Sequence, residues 1–196
     1  DTTWVECTSN YFPFGYLSEA VAGNYTLIIT PYGGTLRRIP ANKPEQSNEF
    51  NHVVANLEAD GSATLQLSQR FTGSQLTTGI AFHTLSRDEQ QKELYRELPY
   101  KDFTLGSFES SYSKQGEPCV LIKATIRCSH FASKAGDRLL IQGNDRMARQ
   151  AVPASDANRQ LPVTSTYTYA DADTLVVNFP EGYFVESLPR NTSDTS

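Results

Sequence analysis

The stretch that decides the predicted fold class is residues 160–189, QLPVTSTYTYADADTLVVNFPEGYFVESLP. Apolar and threonine side chains alternate over residues 163–169, the period expected of a strand with one buried face. After an Ala-Asp-Ala-Asp break the alternation resumes over residues 174–179, which predicts a hairpin. A Pro-Glu-Gly turn then allows a third strand over residues 183–188. Such a meander needs a second layer to bury its apolar face, and we expect the rest of the chain to supply it.

Strand pairs of the same kind recur upstream. The clearest is a hairpin over residues 48–73, in which Asp60-Gly61 supplies the turn because this pair tolerates positive φ. Further strands are predicted at residues 25–30, 35–39, 102–112, 118–131 and 138–141.

One region, residues 75–98, has a helical pattern. Ser86 and Glu89 match a capping box at the start of its second helix, and Pro99 ends that helix. Strands in hairpin order with one inserted helical pair predict a mainly β chain. We expect an antiparallel two-layer β-sandwich with a small inserted helical segment.

Composition limits the classes of partner. The chain has 196 residues, of which 38% are hydrophobic, enough for a packed core. Its net charge of −5 disfavours nucleic acid or an anionic membrane as the main partner, because both select basic patches. The sequence contains no run of eighteen apolar residues, so we expect no membrane insertion.

The cysteines and histidines do not form a metal-binding pattern. Cys7, Cys119 and Cys128 form no CxxC pair and the three histidines are scattered, so we expect no zinc and no cofactor. Cys119 and Cys128 lie in one predicted strand on opposite faces, too far apart for a disulfide. We interpret them as free thiols.

Two other constellations are weak candidates for chemistry. Cys128 and His130 share a strand face about 6.6 Å apart, but Cys128 belongs to the apolar face and no carboxylate is placed to orient the imidazole. Asp171, Asp173 and Glu181 offer oxygen ligands for calcium without the spacing of a calcium loop. We interpret the first pair as a buried thiol near a strand end and the acidic set as a solvated hairpin tip.

A domain boundary is predicted at residues 40–47, PANKPEQS, a polar segment with two prolines. The preceding residues 11–16 contain four aromatic side chains, which are costly to leave in water. This arm is therefore expected to lie against the following domain or a preceding one. Because Asp1 begins inside apparently structured sequence, we expect the chain to be a trimmed form, a mature product or a fragment of a longer protein.

The N-terminal residues carry a resemblance. Trp4-Val5-Glu6-Cys7-Thr8, followed by Asn10 and FPFGYL at residues 12–17, resembles the end of the transglutaminase-like domain in a family of bacterial multidomain proteins of unknown function. In that family a transglutaminase-like core lies between an N-terminal and a C-terminal β-domain. The similarity to the C-terminal β-domain rests on Asn51, Asp60-Gly61, Phe71-Thr72-Gly73, Arg159-Gln160-Leu161-Pro162-Val163 and residues 175–189.

This resemblance implies two units. Residues 1–40 are the tail of a transglutaminase-like domain with its exit hairpin, and residues 41–196 are a C-terminal accessory β-sandwich. Transglutaminase-like cores use a Cys nucleophile, a His base and an Asp that orients the base. Glu6 stands at the position of that Asp, so the resemblance makes Glu6 a remnant triad orienter. The family's Cys and His would precede Asp1, so we expect no catalytic residue of this chain and no acyl-transfer activity from it.

The expected function is a non-catalytic accessory β-domain, either structural or presenting a substrate or partner. Its expected partner is the upstream transglutaminase-like domain of the same parent chain, in the bacterial periplasm or cell envelope. The alternative is a freestanding adhesion-type β-sandwich that binds carbohydrate or protein. That alternative would use exposed aromatic side chains such as Tyr11, Phe12, Tyr167 and Tyr169.

Overall fold

The structure is a computed structural model that describes residues 2–142, 159–160, 168–191 and 193. Two single 3-10 turns, Pro44–Gln46 and Gly73–Gln75, precede the third strand and the first helix. The strands and α-helices of the described residues follow in chain order: β1 (Tyr25–Thr30), β2 (Gly33–Arg38), β3 (Glu49–Leu57), β4 (Ala63–Thr72), α1 (Leu76–His83), α2 (Arg87–Glu97), β5 (Phe103–Ser113), β6 (Cys119–Cys128), β7 (Ala132–Ala135), β8 (Arg138–Ile141) and β9 (Ala172–Asn178).

A five-stranded sheet with the spatial order β5-β6-β4-β3-β9 forms the body of the fold. Its neighbouring strands pair antiparallel, except that β3 and β9 are parallel. In the described part of the chain, β1–β2 and β7–β8 form two further sheets of two antiparallel strands each.

One face of the large sheet is apolar because alternate residues of each strand point towards it. At its centre Val53 of β3 pairs with Leu67 of β4, which pairs with Ala124 of β6, and all three are buried. Burial of a valine or leucine side chain contributes about 1.5–3 kcal/mol. A slip of one residue would turn the whole set outwards, so the register is firmly specified.

The second layer covers this apolar face with α1, α2 and the β7–β8 sheet. Leu76 and Ile80 of α1 and Leu94 of α2 belong to the same buried cluster as the sheet. Helix α1 lies close to the sheet because Gly79 has no side chain: a Cβ at this position would be 2.7 Å from Cβ of Val120.

The N-terminus of α2 has the predicted capping box. The Ser86 side chain accepts a hydrogen bond from the Glu89 N–H, and the Glu89 carboxylate accepts one from the Ser86 N–H at 3.0 Å. These bonds satisfy backbone donors that have no partner inside the helix. The helix ends at Glu97, two residues before Pro99.

The stretch 160–189 does not form the predicted meander in the described residues. Its middle strand is present as β9, but β9 pairs parallel with β3 instead of returning in a hairpin. Residues 183–188 form no strand. Of the first predicted strand, residues 163–169, only residues 168–169 are described, and they have no regular secondary structure. The centre of the sheet is therefore β4, not the C-terminal stretch.

The prediction of a mainly β chain with a small inserted helical segment is confirmed. The two layers are the five-stranded sheet and the helices with β7–β8. Residues 4–7, which carry the N-terminal resemblance, have no regular secondary structure. None of the helices in the described residues is long and apolar enough to cross a membrane.

The segment at the predicted domain boundary is packed against residues from both sides. Ser47 is buried and its hydroxyl donates to Oγ of Ser74 at 3.1 Å. The side-chain amide of Asn42 donates to the Leu17 carbonyl at 3.1 Å and to Oγ of Ser74 at 2.8 Å. The division at residue 40 stays a prediction, and these bonds tie the two sides of it together.

Candidate functional site

The β1–β2 hairpin carries apolar side chains that are exposed rather than buried. Tyr25, Leu27 and Ile29 of β1 share one face with Leu36 of β2, which pairs with Leu27 across the ladder. Tyr25 and Ile29 are 73% and 83% exposed, and Tyr32 at the turn is 100% exposed. We call these five residues the hairpin patch.

The local sequence explains why a hairpin forms here. Residues 25–30, YTLIIT, are β-branched, aromatic or leucine, which favours a strand. In the turn, the Thr30 hydroxyl donates to the Gly33 carbonyl at 2.9 Å and accepts from the Tyr32 N–H at 3.3 Å. Gly33 has a φ of 123°, which only glycine adopts readily.

At the base of the hairpin, the chain segments that lead into β1 and out of β2 are hydrogen-bonded to each other. Ile39, directly after β2, is buried, and its N–H donates to the Asn24 carbonyl at 2.8 Å. The Gly23 N–H donates to the Pro40 carbonyl at 3.1 Å, and Nε of Arg38 donates to the Gly23 carbonyl at 3.0 Å. The hairpin is thus closed at its base while the patch faces solvent.

The hairpin also differs from the rest of the chain in charge. Residues 20–44 contain no Asp or Glu, and their charged side chains are Arg37, Arg38 and Lys43. The whole chain has a net charge of −5. An apolar patch with flanking arginines therefore projects from an otherwise acidic protein, a combination enriched at protein interfaces.

The aromatic arm before the hairpin packs against the sheet and α1, as expected if it lies against the following domain. The rings of Phe12 and Tyr16 are 4.9 Å apart, and the Tyr16 hydroxyl donates to the Gly73 carbonyl at 3.0 Å. Burial is the main cause that raises the pKa of Tyr16 to about 12. Nζ of Lys114 donates to the Asn10 carbonyl at 2.8 Å.

Glu6, the predicted remnant orienter, is held by two neighbours in this arm. Its Oε1 accepts from the Thr8 hydroxyl at 2.7 Å and from the Ser18 hydroxyl at 3.1 Å, and its Oε2 accepts from the Ser18 N–H at 2.8 Å. Burial raises the pKa of Glu6, but these hydrogen bonds outweigh it and leave the pKa lowered. The carboxylate closes the loop between residues 6 and 18.

The candidate Cys–His pair is divided between two environments. Cys128 is 1% exposed, and burial raises the pKa of its thiol to about 11. The His130 side chain is 77% exposed, and its Nδ1 lies 3.8 Å from Oδ2 of Asp102, a carboxylate that the sequence pattern does not identify. A buried protonated thiol beside an exposed imidazole does not make a nucleophile.

Asp171 and Asp173, at the start of β9, do not form the tip of a hairpin, because β9 pairs parallel with β3 and both carboxylates accept hydrogen bonds from distant residues. Asp171 accepts hydrogen bonds from the Glu49 N–H and from the Gln75 side chain. Asp173 accepts from Nδ2 of Asn51 at 2.7 Å. Burial and the charge of Asp173 raise the pKa of Asp171 above its ordinary value, despite these bonds. Among the described residues, no three His, Cys, Asp or Glu side chains converge as a metal site.

The aromatic side chains proposed for carbohydrate binding have mostly structural surroundings. Phe12 packs on Tyr16, and the Tyr11 carbonyl accepts a hydrogen bond from the Tyr112 hydroxyl at 2.5 Å. Tyr169 is 36% exposed, and Tyr167 lies outside the described residues. The alternation of apolar and polar residues did not identify the hairpin patch. This pattern predicts that one face of a strand is buried, but it does not show what covers that face.

No protein-family model, curated protein or solved structure matches the chain.

Proposed function

We propose that the chain is a non-catalytic accessory β-domain that docks through its hairpin patch onto the transglutaminase-like domain of the same parent protein, in the bacterial periplasm or cell envelope. The observation that carries this proposal is the exposure of the patch on a two-stranded sheet. An isolated two-stranded hairpin is marginally stable in water and gains stability when its apolar face is covered.

Composition favours a protein as the covering surface. The patch has two tyrosines and three aliphatic side chains, and Arg37 and Arg38 follow it along β2. Tyrosine and arginine are enriched among the residues that dominate protein–protein binding. The resemblance supplies the candidate partner, because it makes this hairpin the exit of the transglutaminase-like domain.

The geometry of Glu6 is compatible with a second link to that domain. An ionised carboxylate has about four acceptor positions, and the hydrogen bonds from Thr8 and Ser18 use three of them. The remaining position, on Oε2, would accept an imidazole N–H of the upstream domain. In this proposal Glu6 orients the base of its neighbour, and this chain alone transfers no acyl group.

The parent reading frame gives the first test. We expect a Cys at the beginning of a helix and a His before a strand, in that order, upstream of Asp1. A parent frame without a transglutaminase-like region would overturn the proposal. Purified chain is expected to show no acyl-transfer signal, and a signal abolished by thiol alkylation would contradict its non-catalytic role.

The docking surface itself is tested by mixing the chain with the separately produced upstream domain and measuring affinity by calorimetry. Replacing Ile29 and Leu36 by lysine is expected to weaken binding more than about 30-fold, because each buries a charge at a hot spot. The matched control is Phe184→Lys, since Phe184 is as exposed as Ile29 but lies outside the hairpin. Equal binding by both variants would show that the patch is not the interface.

A further inference from the structure

A second surface, independent of the hairpin contact, is a cleft between the inner face of the large sheet and the two helices. Its volume is about 730 Å³, within the range of pockets that hold small organic molecules. Its apolar lining includes Phe71 and Ile122 from the sheet and Phe82, Leu85 and Leu94 from the helical region.

The polar lining of this cleft includes three carboxylates, at Glu49, Glu93 and Glu97. Glu93 and Glu97 share one guanidinium, that of Arg96. Glu49 forms no ion pair with any lysine, arginine or histidine of the described residues, and its Oε1 accepts only amide donors, from Gln69 at 3.1 Å and Asn51 at 3.0 Å. In the described residues, one cation, the guanidinium of Arg96, is therefore paired with two of the three carboxylates of the cleft.

Hydrogen-bond acceptors are also found in a second cavity, which Asn51 and Asp173 line and Glu49 does not. Asn51 donates its side-chain amide to Glu49 and Asp173, and the cavity that it lines has a volume of about 200 Å³. Pro99 lines both cavities. In the part of the chain that the structure describes, Oδ1 of Asn51 is buried and has no hydrogen-bond partner. A buried acceptor of this kind is costly unless a donor reaches it.

We propose that this cleft binds an amphiphilic organic cation, a small molecule with an ammonium group on an apolar chain or ring. The apolar walls remove the hydrocarbon part from water, and the carboxylates receive the ammonium donors. An anionic ligand is excluded by the same carboxylates. A neutral ligand of the same shape gains only the apolar contribution.

The test uses four probes that separate charge from shape: n-octylammonium, n-octanol, octanoate and butylammonium. Titration followed by calorimetry is expected to rank octylammonium first, since it alone supplies both a full-length chain and a cation. Added salt is expected to weaken its binding because exposed charges are screened. Binding of octanol or octanoate as tight as that of octylammonium would overturn the proposal, and so would absence of octylammonium binding.

Two variants locate the site. Glu49→Gln is expected to weaken octylammonium binding about tenfold while octanol binding stays unchanged, because a charge-assisted hydrogen bond is replaced by a neutral one. Glu97 lies at the exposed mouth of the cleft, so Glu97→Gln is expected to weaken octylammonium binding less. This variant tests the site if Glu49→Gln does not fold. The control is Glu109→Gln on β5, whose carboxylate lies 3.6 Å from Nζ of Lys123 and does not line the cleft. Equal losses in all three variants would contradict the location.

Nα-acetyl-lysine amide distinguishes the source of the cation. Its ammonium group is carried on a short alkyl stem with two peptide groups, which the apolar floor does not favour. We expect it to bind more weakly than octylammonium. A tighter complex would overturn the choice of a small molecule and indicate a lysine side chain of another protein.

Discussion

Single residues decide how the N-terminal arm is closed, and Glu6 is the clearest case. Its pKa is lowered in the folded state by hydrogen bonds from Thr8 and Ser18, although burial opposes them. A lowered pKa contributes stability that is present above the unfolded pKa and lost as pH falls through the folded pKa. The closed loop between residues 6 and 18 is therefore expected to open in acid.

The prediction for Glu6 is measured at the Ser18 amide, which donates to the carboxylate. Between pH 6 and pH 3, hydrogen exchange corrected for intrinsic rates is expected to lose protection at Ser18. Glu6→Gln is expected to reduce protection at pH 6 and to remove most of the pH dependence. Thr8→Ala is the milder control, because it removes one of the donors. A Ser18 amide with the same protection in Glu6→Gln would contradict the role of the carboxylate.

Burial also sets the reactivity of the thiols. Cys7 is exposed, Cys119 is half-buried and Cys128 is buried with a pKa of about 11. Because the thiolate is the reactive species, maleimide labelling at pH 7.5 is expected to modify Cys7 first and Cys128 only after unfolding. Mass spectrometry of the digested protein gives the order. Labelling of Cys128 as fast as Cys7 in the native protein would be inconsistent with the buried thiol.

Contacts of single residues could be predicted from the sequence where the two hydrogen-bond partners lie close together along the chain. Ser86 and Glu89 lie three residues apart, so their capping box could be predicted. Glu6 and Ser18 lie in an arm without regular structure, so their hydrogen bonds follow from tertiary folding. His130 and its partner Asp102 lie farther apart along the chain than Glu6 and Ser18, and their contact was not predictable.

Among the elements, the turn before α1 depends on a glycine with a positive φ. Gly73 has a φ of 52°, and a Cβ there would lie 1.8 Å from the Gln46 carbonyl oxygen. Gly116 has a φ of 66° with nothing near that position. Both alanine variants carry the strain of a left-handed residue, about 1–2 kcal/mol, but only Gly73→Ala also clashes with backbone.

In urea denaturation, Gly116→Ala is expected to lower the free energy of unfolding by about 1–2 kcal/mol. Gly73→Ala is expected to lower it by at least about 2 kcal/mol more. The difference in unfolding free energy between the two variants measures the effect of the close approach of the turn to residues 46–47. Equal losses would show that this approach is absent in solution.

The C-terminal strand shows which part of an element a sequence pattern determines. The alternation over residues 174–179 correctly indicates a strand and its half-buried face, and β9 has both. The pattern does not contain the partner strand or its direction, because side chains alternate in the same way in parallel and antiparallel pairs. The parallel pairing with β3 depends instead on distant bonds, such as that from Asn51 to Asp173.

At the scale of the whole molecule, strands in hairpin order with one helical pair indicated a mainly β chain, and the predicted hairpin over residues 48–73 is present as β3 and β4. Whether the remaining apolar residues are buried or exposed could not be predicted. Residues 25–30 have the composition of a core strand, yet Tyr25, Leu27 and Ile29 are exposed. A strand pattern does not show whether another layer packs on its apolar face. The cleft could not be predicted either, because it forms only where the helices pack on the sheet.

The most direct test of the account compares hydrogen exchange of the β1–β2 hairpin in this chain with that in the longer parent protein that we propose. The account predicts that the ladder amides of β1 and β2 exchange readily in the chain alone, and at least about 100-fold more slowly in the parent, where a domain covers the hairpin patch. The amides of β4, at the centre of the sheet, serve as the internal reference and should be protected equally in both. Equal exchange of the hairpin in the two proteins would contradict docking through the patch.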